Sequence, residues 1–389
     1  MTLAADEALL DDPTRLAAAD PGQMLRMLAT SAAQVREAAV RAEESGLDRL
    51  RDEGRPRAVL VLGVGGGAGV AGTVLSGVAA PQCPVPILTH RTFGIPGWSG
   101  VADLVFAVSS TGTTPETLTG ADEAVRRGCQ VVGVTAPGSP LADCVQRGRG
   151  IVVPVDSGRP SRANLWALSI PLVIAARELG LLSLPADAVE ATAACLEAIS
   201  ISCRPSSESF VNEGKDLAIQ LAGSLPLLWG STVLTGAAAH RLGFQLAENA
   251  KYPALLGGLP DFGNYQAVAW DGPFGAGAAS GQDPADFFRD RLEEEARIAL
   301  RLVLLRDAEG EAAQPRLAVR ADALAQLARE RGLRVTEIKA AGSSPLERLA
   351  SLIGLADYAS VYLAIATGTD PMTLPALSDL DERLDEPGE

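Results

Sequence analysis

One loop gathers hydroxyl side chains at the point where an apolar strand is predicted to end. In "VSSTGTTPETL", residues 108–118, the hydroxyl groups considered for ligand binding belong to Ser109, Ser110, Thr111, Thr113 and Thr114. The apolar run "ADLVFA" precedes them, and Pro115 stands where a helix would begin. Hydroxyls and the free N–H groups of a helix N-terminus can bind an anion without any charged side chain. The loop therefore predicts a phosphate-binding site, and helix capping within a simple turn is the structural alternative.

A second loop, rich in glycine, follows an earlier apolar strand in "RAVLVLGVGGGAGVAG", residues 57–72. Gly66 and Gly67 have no Cβ atoms, which would let the backbone approach a sugar or a phosphate closely. A dinucleotide-binding loop is the alternative. It expects an acidic residue about 20 positions later to hold a ribose, and "CPVPILTHR" contains none. We therefore favour a phosphate or sugar ligand at Gly66 and Gly67.

Strands and helices alternate around both loops. Continuous apolar strands separated by helices predict parallel sheets that are buried on both faces. The pattern occurs twice, and in the second half "LPLLWGS", "AVAWDG", "RIALRLVLLRD" and "LRVTEIKAAG" read as strands. We predict an α/β protein with two αβα sandwich domains, each with a mainly parallel, doubly wound, flavodoxin-like sheet. The predicted units are an N-terminal helical segment (1–50), a first domain (51–160), a helical connection (161–222) and a second domain with C-terminal helices (223–389), in which residues 271–286 read as a surface loop.

Composition limits the possible partners. The 389 residues are 47% hydrophobic and 21% charged, which is typical of a globular protein with a full core. A net charge of −15 repels nucleic acid at long range. Five dispersed cysteines and two histidines argue against a zinc site and for a reducing compartment. The N-terminus has no signal-peptide pattern, and the longest apolar run is interrupted by Pro171 and Arg177. We expect a cytoplasmic protein with no membrane or nucleic-acid partner.

With both loops in view, the chain resembles the SIS (sugar isomerase) domain family, and within it the bifunctional phosphoglucose/phosphomannose isomerases. The family's Ser-x-Ser-Gly-x-Thr-x-Glu-Thr loop is matched by "SSTGTTPET". Its "ENAK" helix is matched by "LAENAKYPA", and its C-terminal "DY-x-SVYLA…DP" by "ADYASVYLAIATGTDP". The family's arginine after the first domain matches Arg162 in "RPSRANL". The resemblance covers nearly the whole chain after residue 50 and implies two SIS-type domains.

The resemblance also implies a reaction, in which glucose 6-phosphate or mannose 6-phosphate is converted to fructose 6-phosphate through an enediolate. Glu248 would move a proton between C1 and C2, and Arg162 would stabilise the enediolate, which is the pairing that this chemistry needs. The phosphate would be bound by Gly66, Gly67, Ser109, Thr111 and Thr114. Neither a metal nor a cofactor is implied, and the family's site is completed across a homodimer.

The chain departs from the family pattern at three places. Asn264 in "LPDFGNYQ" occupies the position of a family histidine that helps to open the sugar ring, and an amide cannot transfer a proton near neutral pH. Asp381 stands where the family has a lysine, and the glycine loop lacks the family's serine. A non-catalytic sugar-phosphate-binding or regulatory protein is therefore the main alternative. A different reaction using Tyr265 or Asp381 is a third hypothesis, and Glu248 could also simply pair with Lys251 on the helix surface.

Overall fold

Two parallel β-sheets organise the described residues, which are 4–80, 82–275 and 298–385 of the computed structural model. The first sheet contains β1 (Val59–Leu62), β2 (Ile87–His90), β3 (Leu104–Ser109), β4 (Gln130–Thr135) and β5 (Ile151–Pro154), in the order β2-β1-β3-β4-β5. The second contains β6 (Ser224–Gly230), β7 (Leu255–Gly258), β8 (Ala299–Arg306) and β9 (Arg334–Lys339), in the order β7-β6-β8-β9. All their pairings are parallel. The predicted α/β fold with two doubly wound sheets is confirmed, and the first sheet has the flavodoxin strand order.

Helices precede, connect and cover the sheets. The N-terminal segment contains α1 (Glu7–Leu10), α2 (Pro13–Ala19), α3 (Met24–Leu28), α4 (Ser31–Glu44) and the 3₁₀ helix Leu47–Asp52. The first sheet is accompanied by α5 (Ala68–Ala79), α6 (Pro115–Arg126) and α7 (Pro140–Arg147). The connection contains α8 (Leu165–Glu178), α9 (Ala188–Ser202), α10 (Glu213–Leu221) and the 3₁₀ helices Ser161–Ala163 and Ser209–Val211. The second sheet is accompanied by α11 (Val233–Ala250), α12 (Phe262–Tyr265), the 3₁₀ helix Gln266–Asp271, α13 (Ala308–Ala313), α14 (Pro315–Glu330), α15 (Pro345–Ala366) and α16 (Pro375–Asp385).

A central apolar layer joins the two sheets. Successive side chains of a strand point to opposite faces, so Val59 and Val61 of β1 enter this layer, whereas Leu60 and Leu62 pack towards α6 and α7. Helices α5, α8, α11 and α15 supply most of the remaining central layer, which also takes side chains from β6 and β8. Loops at the carboxyl edge of the first sheet are therefore held against α11 and α15 of the second unit.

Helix α15 crosses the centre of the molecule. By length and composition it is the one helix of the described residues that could cross a membrane, with a mean hydropathy of 1.6 over its most apolar stretch. However, 89% of that stretch is buried inside the molecule. It packs against α9, α10 and α11, which accounts for its apolar sequence by burial within the protein.

One predicted strand is wrong. Residues 267–272, read as a strand from "AVAWDG", lie in and just after the 3₁₀ helix Gln266–Asp271. This turn buries Trp270 and stacks its ring on that of Trp229, with 5.6 Å between the ring centroids. The fourth strand of the second sheet is instead β7, which forms one edge of that sheet. Its short sequence ends in two glycines and gave no strand signal. Residues 276–286 of the predicted surface loop, which spans 271–286, lie outside the described residues.

His240 of α11 makes the stability of the fold dependent on pH. It packs against Phe244, with 4.9 Å between ring centroids, and its Nδ1 has no hydrogen-bond partner among the described residues. Burial, with a smaller contribution from the charge of Arg91, lowers the pKa of His240 to about 4. The unfolded chain binds this proton near pH ~6.5. The contribution of neutral His240 to stability is thus complete above pH ~6.5 and is lost as the pH falls towards 4.

We predict that replacing His240 with glutamine flattens this dependence. Between about pH 6.5 and pH 4, the midpoint of thermal unfolding should fall less in His240→Gln than in the unaltered protein, because the variant has no imidazole that must be kept neutral. Thermal melts at matched ionic strength measure the difference. Equal falls in the two proteins would contradict the prediction.

Candidate active site at the carboxyl edge of the first sheet

The two loops predicted to bind a ligand lie side by side. The glycine loop (residues 63–67) follows β1, and the hydroxyl loop (residues 109–114) follows β3. These strands are parallel neighbours, with Leu62 opposite Ala107 near their carboxyl ends. The strand order reverses here, since β2 lies on the other side of β1. Open α/β sheets bind ligands in the crevice outside such a switch point.

Glu248 reaches the glycine loop from the last turn of α11. Its Oε1 accepts a hydrogen bond from the N–H of Gly66 at 2.8 Å. Its Oε2 has no hydrogen-bond partner among the described residues, and the side chain is half-buried. A Cβ atom on Gly66 would lie 2.6 Å from Oε1, so the carboxylate can come this close only to a glycine. One oxygen of Glu248 is therefore fixed, and the other is available for proton transfer.

Arg162 provides a buried cation that interacts electrostatically with this carboxylate, and only 6% of it is exposed. Its Nε donates to Oδ1 of Asn249 at 2.9 Å, and its Nη2 donates to the carbonyl oxygens of Pro371 and Met372 at 2.9 and 2.7 Å. In the described part of the chain Nη1 has no acceptor. Burial lowers the pKa of the guanidinium, while the charge of Glu248 opposes that shift. Arg162 is thus held on one side and has free N–H groups on the other.

The residues after Glu248 fix the end of α11. Asn249 donates through Nδ2 to Oγ of Ser360 on α15 at 2.9 Å. Lys251 ends the helix in the left-handed conformation, with φ of 53°. Its Nζ donates to the carbonyl oxygens of Glu248 and Asp370 at 3.1 and 2.7 Å. Lys251 therefore binds the main chain, and the alternative in which its ammonium simply pairs with the Glu248 carboxylate is not what the structure contains.

The hydroxyl loop is shaped from inside by its own side chains. Oγ of the buried Ser109 accepts from the N–H of Gly112 at 3.0 Å and lies 2.9 Å from Oγ1 of Thr114. Gly112 has φ of +73°, and a Cβ atom there would lie 2.1 Å from Oγ of Ser139, so this turn requires glycine. Ser109 thus orders the loop, whereas Thr111 is exposed to solvent.

The first turn of α6 presents unused hydrogen-bond donors beside this loop. Thr114 is the N-cap residue but makes no side-chain cap, because its hydroxyl pairs with Ser109. Pro115 has no N–H, and the N–H groups of Glu116 and Thr117 have no acceptor among the residues described. Oγ1 of Thr117 is likewise buried without a partner in the described ranges. Free N–H groups at the start of a 12-residue helix favour an anion.

Residues 161–164 connect the two loops. Oγ of Ser161 accepts from the N–H of Ala68 at 3.3 Å. Nδ2 of Asn164 donates to Oγ of Ser110 at 3.3 Å. A Cβ atom on Gly67 would lie 2.1 Å from the carbonyl oxygen of Ser161. The close approach that requires glycine at Gly67 is therefore made by the protein's own backbone.

Asn264 lies apart from this cluster. It is exposed on α12, beyond the second sheet, and its Oδ1 accepts a hydrogen bond from Arg320 of α14. No hydrogen bond among the described residues joins it to Glu248 or Arg162. Asp381 is exposed on α16. A single chain thus brings together Glu248, Arg162 and the two loops, but not the position at which the family pattern has a histidine.

Two residues at the centre of the cluster are not among the site residues predicted from the sequence. Arg241 and Asp357 form a buried ion pair, and Arg241 also binds the main chain of the glycine loop. One signal was available, because Arg241 lies seven residues before Glu248 and so on the same face of one helix, two turns away. Nothing in the sequence indicated that Asp357 is its partner.

Known proteins are similar to this chain in sequence and in architecture. Residues 210–384 match the family described as the bacterial phosphoglucose isomerase C-terminal SIS domain. The bifunctional phosphoglucose/phosphomannose isomerase of Caldicellulosiruptor bescii is 27% identical over 328 residues, which cover 84% of this chain and 89% of that protein. The enzyme of the same name from Aquifex aeolicus is 26% identical over 320 residues, covering 82% and 88%.

Solved structures agree on the fold. A hypothetical protein from Thermus thermophilus superposes with a TM-score of 0.65 at 15% identity, covering 98% of this chain and 95% of that one. The tagatose-6-phosphate ketose/aldose isomerase of Escherichia coli gives a TM-score of 0.63 at 12% identity, covering 95% and 98%. At such low sequence identities these structures support the architecture only. The chemistry has to be inferred from the residues of the site.

Proposed function

We propose that this chain, which belongs to the SIS (sugar isomerase) family, is a phosphosugar aldose–ketose isomerase that interconverts glucose 6-phosphate or mannose 6-phosphate with fructose 6-phosphate. One observation carries the proposal. The half-buried Glu248 carboxylate has one oxygen held by Gly66 and one without a partner among the described residues. It interacts electrostatically with the buried guanidinium of Arg162, which binds the neighbouring residue Asn249 and whose Nη1 has no acceptor in the described ranges. A base beside a fixed cation is the pairing required to form and stabilise an enediolate.

Each group has a defined task in the proposed reaction. The free oxygen of Glu248 takes the proton from C2 of the open-chain aldose, and the electrons of that C–H bond form the C1–C2 double bond. The carbonyl π electrons move to O1, and the resulting oxyanion faces Nη1 of Arg162. Glu248 then returns the proton to C1 while the O2 hydroxyl proton is transferred to O1, which yields the ketose. Atoms and electrons balance without an oxidant, so neither a metal nor a cofactor is included.

The phosphate group of the substrate is assigned to the hydroxyl loop and the first turn of α6. The support is that the N–H groups of Glu116 and Thr117 have no acceptors among the described residues. The exposed hydroxyls of Thr111 and Thr113, which lie 2.8 Å apart, belong to the same loop. These uncharged donors bind a dianion locally although the whole chain carries a net charge of −15. The crevice between the loops then leads from the phosphate towards Glu248.

We predict that Thr111→Val raises KM for the phosphosugar by roughly 10-fold and leaves kcat almost unchanged. Valine has the shape of threonine without its hydroxyl, and one hydrogen bond to a charged group contributes about 1.5–3 kcal/mol. Steady-state kinetics measure the effect. Thr119→Val is the matched control, since Thr119 is exposed on the adjoining helix α6 and its hydroxyl donates only to the carbonyl of Pro115. A KM equal to that of the control would argue against phosphate binding at Thr111.

The proposed function is tested by proton NMR of glucose 6-phosphate and mannose 6-phosphate in D₂O with purified protein. Loss of the C2 proton signal, together with the appearance of fructose 6-phosphate, is the expected result. Exchange without net conversion would still show that an enediolate forms. Neither exchange nor conversion with both sugars would overturn the isomerase proposal.

A non-catalytic sugar-phosphate-binding protein is the second candidate. It is favoured by Asn264 and Asp381, which replace the histidine and lysine of the family pattern. It predicts binding without C2 exchange, and binding that survives Glu248→Gln. The predicted homodimer and cytoplasmic location belong with both candidates. We propose that a second copy of the chain would be needed to bring Asn264 near Glu248.

A further inference from the structure

Arg241 is a buried residue that contacts several parts of the cluster at once. None of its surface is exposed. Its Nε and Nη2 donate to the two carboxylate oxygens of Asp357 at 2.8 and 2.9 Å. Its Nη1 donates to the carbonyl oxygen of Gly66, and its Nη2 also donates to the carbonyl oxygen of Arg162 at 2.6 Å. One guanidinium therefore joins α15, the glycine loop and the segment that contains Arg162.

These contacts hold Gly66 from both sides of its main chain. The N–H of Gly66 binds the Glu248 carboxylate, and the carbonyl of Gly66 binds the guanidinium of Arg241. The two side chains are seven residues apart on one face of α11. The position of the glycine loop relative to Glu248 is thus set by a second contact to the same helix, two turns away.

Asp357 keeps Arg241 in this geometry. The pair is bidentate, and both side chains are almost completely buried, with 0% and 5% exposure. Burial raises the pKa of the Asp357 carboxyl, and the charge of Arg241 opposes that shift. A buried charge that loses its partner destabilises the fold strongly. The guanidinium of Arg241 therefore stays paired with Asp357, and this pairing fixes the place and the plane of the guanidinium. Two of its remaining N–H groups are then directed to the carbonyl oxygens of Gly66 and Arg162.

We propose that Arg241, held by Asp357, is a positioning residue for the isomerisation. It sets the distance between Glu248 and the substrate through Gly66, and it sets the place of Arg162 through the main-chain carbonyl of that residue. The effect of Arg241 on turnover rests on the proposed function. The structural part of its role, the restraint of the glycine loop, holds independently of any substrate.

Lysine cannot replace arginine in this role. A guanidinium has five N–H donors in one plane, and Arg241 uses four of them, on a carboxylate and on two carbonyl groups in different directions. An ammonium keeps the positive charge for Asp357, but it has only three donors at one point. Arg241→Lys therefore retains the charge of the ion pair and releases the Gly66 and Arg162 carbonyls.

The test measures turnover and local exchange in Arg241→Lys. We expect kcat to fall by about 10²-fold, because a displacement of about 1 Å costs that much in a positioned site. KM should change much less, since Arg241 makes no hydrogen bond to the hydroxyl loop. In the ligand-free protein, the Gly66 N–H should exchange with deuterium faster than in the unaltered protein, as measured by NMR or on a peptide covering the glycine loop.

Arg348→Lys is the matched control. Arg348 lies on α15, where it is buried and paired with Asp307 at 3.0 Å and with Glu309 at 2.6 Å, and none of its hydrogen bonds or ion pairs within the described residues reaches the cluster. This control should lower thermal stability without altering the exchange of Gly66. Asp357→Asn is a second test variant. It is nearly isosteric and weakens the anchor of Arg241 without removing the guanidinium, so it covers the case in which Arg241→Lys does not fold.

The outcomes separate this inference from the proposed function. Gly66 exchange that is unchanged in both folded variants overturns the positioning role, whatever the activity. A loss of kcat no larger than in the Arg348→Lys control also overturns it. If the unaltered protein turns over no phosphosugar, the proposed function fails, and faster Gly66 exchange in the variants still supports restraint of the loop by Arg241.

Discussion

Glu248→Gln is expected to reduce the exchange of the C2 proton of glucose 6-phosphate with D₂O by about 10²–10⁴-fold, the range typical of a lost general base. The free oxygen of Glu248 is the only carboxylate oxygen proposed to take this proton. Glutamine has the same shape, and its carbonyl oxygen can still accept the hydrogen bond from the Gly66 N–H. The variant should therefore fold normally and bind the sugar phosphate while failing to move the proton. Time-resolved proton NMR, with binding followed by calorimetry, measures both quantities.

The control for this prediction is Glu330→Gln, which makes the same chemical change on an exposed residue of α14. It should exchange the proton at the rate of the unaltered protein. Exchange that persists in Glu248→Gln would assign the base elsewhere, with Asp381 or Tyr265 as the residues to examine next. If the unaltered protein and Glu248→Gln bind a sugar phosphate equally well and neither converts it, the non-catalytic candidate is favoured.

Gly66→Ala is expected to lower kcat by about 10²-fold, as a displacement of about 1 Å does in a positioned site. The added Cβ would lie 2.6 Å from Oε1 and 2.7 Å from Oε2 of Glu248. These atoms are the far end of a flexible side chain, so the carboxylate can move away and the fold is retained. The move breaks its hydrogen bond to the Gly66 N–H and shifts the base away from the substrate. Kinetics together with a thermal melt separate this displacement from unfolding.

Gly236→Ala is the matched control for Gly66→Ala. Gly236 is a residue of α11 itself, and a Cβ atom added there meets nothing within 4 Å. Alanine in a helix interior is more stable than glycine by roughly 0.5–1 kcal/mol, so this variant should melt at a slightly higher temperature with unchanged kinetics. A Gly66→Ala protein with normal kcat would show that the position of Glu248 in this structure is not the one used in catalysis.

The general architecture was predictable because it depends on local pattern. Apolar runs of strand length, followed by glycine or hydroxyl residues and then by helical spacing, indicate parallel strands with loops at their carboxyl ends. The failures have local causes too. Strand β7 is short and ends in glycines, and the apolar stretch around Trp270 forms a 3₁₀ turn that stacks one tryptophan on another.

The types of the reacting groups could also be predicted from the sequence. The hydroxyl loop, Glu248 and Arg162 could be named from their motifs, because a motif records which side chains occur at which spacing. A motif does not record the direction in which each side chain points. The sequence could not indicate that Ser109 points into the loop, that Gly67 lies against the main chain of Ser161, or that Lys251 binds carbonyl oxygens.

The contacts of the site join residues that are far apart in the chain. Glu248 and Gly66 are 182 residues apart in the chain, Arg241 and Asp357 are 116 apart, and Arg162 and Asn249 are 87 apart. Each contact exists because α11 and α15 share one apolar layer with the first sheet, which presses the glycine loop against α11. The alternation of strands and helices, and the chemistry available at their ends, follow from local sequence pattern. Packing decided the partners, because a hydrogen bond depends on distance and direction between atoms that no local pattern relates.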